Sequence, residues 1–173
     1  MDISFHVTQS PLGRMAARIY DPQRDNIRSI LVDVCYFLNN KSEFIISGCG
    51  QERWPARVYI DLSILLEQLP DILYGIHRKE NFSIDFYEQN IQREVIFSYT
   101  PDKYVVTYKN KIDSALEPGT EKITRYALER MLLELRDAFM SALAEVSPGL
   151  EKHPWTQKWF NSTVASMWGG YTI

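Results

Sequence analysis

Histidine and cysteine are scarce in this chain, three and two residues among 173. His6, His77 and His153 are each more than 70 residues from the next, with no HExxH and no Cys/His cluster. Metal sites draw on ligands at short, regular spacing, so neither a metal nor an organic cofactor is expected. Cys35 and Cys49 form no CxxC pair, and two thiols make no disulfide framework. Nothing beside them in sequence would lower a thiol pKa, so both read as reduced, buried and dispensable. A GxSxG nucleophile elbow, a GxGxxG fingerprint and a phosphate-binding GK[ST] loop are all missing. Charge of one sign is missing too: 19 Lys and Arg against 22 Asp and Glu give a net charge of -3, which argues against the basic face of a general nucleic-acid binder. No run approaches the roughly 20 apolar residues of a membrane span. The opening MDISFHVTQSPLGR has neither the basic start nor the apolar centre of a signal peptide, so a cytoplasmic location is expected. With no repeat and no low-complexity stretch, residues 1–173 read as a single domain.

Alternating apolar and polar residues are plentiful. Phe82, Ile84 and Phe86 share one parity, Ile91, Val95, Phe97 and Tyr99 the next, and Tyr104, Val106 and Tyr108 a third. Period two in aromatic and β-branched residues marks half-buried strands. Gln89-Asn90 and Thr100-Pro101-Asp102-Lys103 separate the runs, with Pro101 suited to the second position of a turn. The stretch 82–109 is therefore predicted to form a three-stranded antiparallel meander. Upstream, Ile3, Phe5 and Val7 predict a first strand with His6 on its polar side, ahead of a turn at Ser10-Pro11-Leu12-Gly13. Met15 to Tyr20 is compatible with a second strand. Phe44, Ile45 and Ile46 predict another, and Arg57 to Ile60 a further short one. Gly48-Cys49-Gly50 reads as a turn or bulge rather than an anion-holding nest.

Helical spacing recurs between these strands. Ile27, Ile30, Leu31, Val34 and Leu38 fit one helix face, with Asp25 as a possible cap and Asn39-Asn40 as the stop; the same run is also branched enough for a buried strand, and helix is the preferred reading. Asp61 is placed as the cap of a leucine-striped helix through Leu62, Leu65, Leu66, Leu69, Leu73 and Ile76. Pro70 within it predicts a kink or a break into two helices. After a loop over Ile112 to Thr120, a helix is expected from Glu121 to Val146, with Ile123, Tyr126, Ala127, Met131, Leu135, Ala138 and Ala142 inward and Arg136 among the outward charges. Ser147-Pro148-Gly149 stops it. Three of the four tryptophans fall within the 14 residues from Trp155 to Trp168, a segment that Pro154 can open and Gly169-Gly170 can close. It reads either as a terminal helix docked on the sheet or as an aromatic interface. Strands and helices that do not alternate regularly give the fold class α+β, an antiparallel sheet with helices on one face.

The order of SGCGQERW, DLSILLEQLP and IDFYEQNIQREVIF, followed by a late amphipathic helix, resembles the immunity proteins of bacterial polymorphic toxin systems, including contact-dependent growth inhibition, over roughly residues 43 to 145. The resemblance implies a non-enzymatic protein whose partner is a cognate toxin domain, neutralised by occlusion. The acidic and aromatic groups around the hairpin, Asp85, Tyr87, Glu88 and Glu94, together with Asp71, are the candidate partner-binding residues and would suit a basic surface such as a nuclease presents. Two other classes stay open. One is an acidic secretion chaperone holding an extended peptide; the other is a small enzyme, for which Asp85 and Glu88 would be the acid pair.

Overall fold

The alternation after residue 82 produces a four-stranded antiparallel sheet in the computed structural model, which describes residues 1–10, 12–87, 93–110 and 119–165. A separate two-stranded sheet pairs β1 (Asp2–Val7) with β2 (Ser42–Ser47). The larger sheet runs in the order β3 (Phe82–Phe86), β4 (Arg93–Thr100), β5 (Lys103–Asn110) and β6 (Thr120–Thr124). The meander is as expected, and β6 adds a strand where the sequence predicts the end of a loop and the start of a helix. Its Glu121 and Ile123 stand opposite Val106 and Tyr104. The β4–β5 connection carries Pro101 and then Asp102 at φ 63°, the φ pattern of a type II turn. Pro11, Gln89-Asn90, Ile91, Ile112 to Pro118, Trp168 and Gly169-Gly170, for which the sequence carries expectations, lie outside the described residues.

Register explains the two faces of the sheet. Phe82, Phe97, Val106 and Glu121 form one row across the strands; Ile84, Val95 and Tyr108 form the next; Tyr99, Tyr104 and Ile123 a third. Ile84, Val95, Phe97, Tyr104 and Val106 are completely buried. The opposite parity carries Ser83, Asp85, Glu94, Ile96, Thr107 and Lys122, none of them buried. Such alternation is what an antiparallel sheet with one covered face requires.

The helices are α1 (Ile27–Leu38), α2 (Ser63–Arg78), α3 (Arg125–Val146) and α4 (Pro154–Ala165). Helix wins over strand at 27–38 because Ile30, Leu31, Val34 and Leu38 make a single buried stripe. Its cap is Asn26 rather than Asp25: the Asn26 side chain accepts from the Arg28 N–H and Ser29 closes a capping box. Asp25 instead accepts from the Asp21 N–H and pairs with Arg18. Met15 to Tyr20 is not a strand; the segment is fastened by the Met15 N–H to the Val146 carbonyl and by Arg18 and Tyr20 to Asp33.

The predicted short strand at Arg57 to Ile60 is a turn of π-helix, Val58–Leu62, leading directly into α2. Asp61 is therefore inside the helical run, not at its cap; its carboxylate reaches back one turn to the Arg57 N–H at 2.6 Å. α2 passes through Pro70 without ending. Proline has no N–H to give the Leu66 carbonyl one turn back. The indole N–H of Trp159 supplies it, at 2.8 Å and fully buried.

Thr124 caps α3 by accepting from the Ala127 N–H, so the helix begins four residues later than expected and its inward face is rotated. Leu128, Leu132, Leu135, Phe139, Ala142, Leu143 and Val146 are buried, while Tyr126 points to solvent. Arg136, expected outside, is buried. It donates to Thr163, pairs with Asp137 at 2.7 Å and stacks on Phe160. α4 thus docks on helices and not on the sheet, with Trp159 edge-on to Phe139.

Candidate partner-binding surface

The β3 edge is capped at Asp85. Gln68 of α2 donates to the Asp85 carbonyl and accepts from the Asp85 N–H, both at 3.1 Å, imitating a neighbouring strand. This amide clamp blunts an edge that would otherwise invite pairing with another chain. It also fixes where the end of β3 meets the two helices.

Three elements converge at that corner. Glu67, one residue before Gln68, accepts from the Tyr87 hydroxyl at 3.3 Å and faces the Arg28 guanidinium at 3.4 Å. Arg28, in the first turn of α1, lies 5.7 Å from the Tyr87 ring centroid. Exposed pairs of this kind each contribute about 0–1 kcal/mol. Tyrosines are exposed along the same helices and after β3. Tyr36, two turns along α1 from Arg28, is 72% exposed; Tyr74 of α2 is 53% exposed and Tyr87 is 43% exposed. Tyr59 stands edge-on to Tyr36 at 6.1 Å.

The candidate residues distribute as follows. Asp85 and Glu94 are directly opposite in the β3–β4 register, on the uncovered face of the sheet. Like charges in that relation oppose folding, and Lys109 on the far side of Glu94 offsets part of the repulsion. Tyr87 sits at the corner beside Glu67. Asp71 is one turn beyond Glu67 on the same exposed side of α2. Glu88 lies outside the described residues. Arg28, Glu67 and Tyr36 were missed by sequence reading. They come from distant helices, and each looks there like an ordinary solvated position.

Elsewhere, burial controls the titrating groups. Desolvation raises the Asp61 pKa, against the opposing pull of the Arg57 N–H and the nearby Arg57 and Arg93 charges. Burial also raises both cysteines, Cys49 to about 11 with Glu121 adding to the effect, and Cys35 further still. Cys49 is the third-last residue of the Gly48–Gln51 turn, which is closed by hydrogen bonds in both directions. Its φ of 51° and that of Gly50, 82°, match a type I′ turn, so the turn reading of Gly48-Cys49-Gly50 holds. Neither thiol should react with an aromatic disulfide reagent at pH 7 in the folded protein, and both should react on unfolding in denaturant; rapid titration of either in the native state would show that its burial is wrong.

No family model, curated protein or solved structure matches the chain. Among the described residues no helix is long and apolar enough to cross a membrane.

Proposed function

We propose that this is a binding protein of the immunity type, which docks on one toxin domain and blocks its active site or its target surface. The observation that supports the reading best is the corner itself. α1, α2 and the residue after β3 bring Arg28, Glu67 and Tyr87 together; Asp71 is one turn further along α2, Asp85 is two residues before Tyr87, and Tyr36 and Tyr74 are exposed on the same two helices. Tyrosine and arginine are the residues that concentrate binding energy at protein interfaces, and acids at the rim favour a basic partner by speeding encounter.

Reversing charge separates binding from folding here. Asp71 is exposed, and Asp85→Lys places an opposite charge across from Glu94. The pair Asp71→Lys with Asp85→Lys should leave stability within about 1 kcal/mol of the parent. Association with the toxin domain should slow by about tenfold or more at low salt, and protection of toxin-expressing cells should weaken. Tyr87→Ala should act instead on dissociation, as loss of an aromatic anchor does. The measurement is binding kinetics against the domain that co-purifies from the host and arrests growth when expressed alone. Unaltered rates and salt dependence in the variants would place the interface elsewhere. A captured partner that is an unfolded segment would replace this reading with the chaperone.

A further inference from the structure

α4 is held differently from the other helices. α2 buries nine residues and α3 eight, most of them apolar. Among the described side chains of α4, the buried ones are Thr156, Trp159 and Thr163: one large apolar group and two hydroxyls. Trp155 and Phe160 are half-buried beside them. At the first turn, Trp155 and His153 stand edge-on to Tyr20, and all three rings are half-exposed.

The polar contacts of α4 are ones that water can replace. The Trp159 indole N–H meets the Leu66 carbonyl, and Thr163 accepts from Arg136 while the Phe160 ring lies 4.7 Å from that guanidinium. Arg136 has a second partner, Asp137, on its own helix, and that contact does not depend on α4. Thr156 works against docking. Its hydroxyl is completely buried and has no partner among the described residues, a desolvation cost that opening relieves. The connection to α3 gives room to swing. None of residues 147–153 is buried, and Gly149 sits at φ 97° with nothing within 4 Å of where a Cβ would stand. Elements with few buried apolar contacts are the ones that open ahead of the whole molecule.

We propose that α4 is a reversible latch. It detaches as a unit about Gly149 while the sheet, α1, α2 and α3 stay folded, and its release uncovers the side of α2 and α3 that carries Leu66 and Phe139. Native-state amide exchange on the whole chain, in urea below the unfolding transition, reads this directly. Amides from Trp159 to Val164 should exchange through an opening populated about a hundredfold or more above the one that exposes Leu132 to Leu143, with a weaker urea dependence because less surface is exposed. Ile84→Val thins the buried face of β3 and should lower the protection of α2 and α3 by about two- to tenfold, leaving α4 unchanged. Thr156→Val keeps the shape, removes the unpaired hydroxyl and should raise the protection of α4 by about fivefold or more. Equal loss of protection in α3 and α4 on Ile84→Val would make them one cooperative unit and overturn the latch. Unchanged or lower protection of α4 in Thr156→Val would overturn it too, because the hydroxyl would then not oppose docking.

Discussion

Trp159→Ala should destabilise the protein by about 3–5 kcal/mol, the range for deleting a buried large aromatic. The side chain is 4% exposed and faces Phe139 edge-on. Volume is only part of the effect. Pro70 leaves the Leu66 carbonyl without its helical donor, and the Trp159 N–H is what satisfies it. Trp159→Phe keeps much of the ring but strands that buried carbonyl, at about 1–3 kcal/mol. Pro70→Ala restores a backbone N–H at the right place. The cost of Trp159→Phe should therefore shrink in a Pro70→Ala background, a coupling that a double-mutant cycle from urea unfolding would read directly. Equal costs in the two backgrounds would show that the indole bond contributes nothing beyond packing.

The same pair of residues shows what sequence could and could not reveal. Pro70 inside a leucine stripe was legible as an interruption, and the tryptophan-rich tail as something that had to be buried or bound. Their connection was not legible, because it joins positions 93 residues apart through one carbonyl. The strands of the meander were readable because period two is a local property. β6 was missed for the opposite reason: Thr120 to Thr124 has only Ile123 as an apolar signal, and its pairing with β5 holds it in place. Asp25 and Asn26 are both good caps in isolation, and the choice between them depended on Arg18 drawing Asp25 away. Charge alone puts Arg136 outside; its burial is possible because Thr163, Asp137 and Phe160 surround its guanidinium. The acidic candidates were visible as residues. The corner that Tyr87 forms with Arg28 and Glu67 exists only in three dimensions.

Phe97→Ala should be as damaging as the loss of Trp159, by about 3–5 kcal/mol, and for a purely apolar reason. Phe97 is completely buried at the centre of the covered face. It stacks on Phe82 at 4.6 Å and 12°, and meets Tyr104 edge-on at 6.3 Å, with Val106 opposite in register. Tyr104 is tied to the Gly75 carbonyl, and Gly75 has the Phe82 ring close against it, so α2 and β3 hold the cluster from above. Rings fixed in this way cannot collapse far into the space a methyl group leaves, which puts the substitution toward the upper end of the range. A loss of that size lowers the melting temperature of a chain this long by about 6–20 °C. Ser98→Ala, the next residue along β4 and on the uncovered face, should change stability by less than about 0.5 kcal/mol. Comparable losses at positions 97 and 98 would mean that both faces of the sheet are packed, and a negligible loss at 97 would place the core elsewhere.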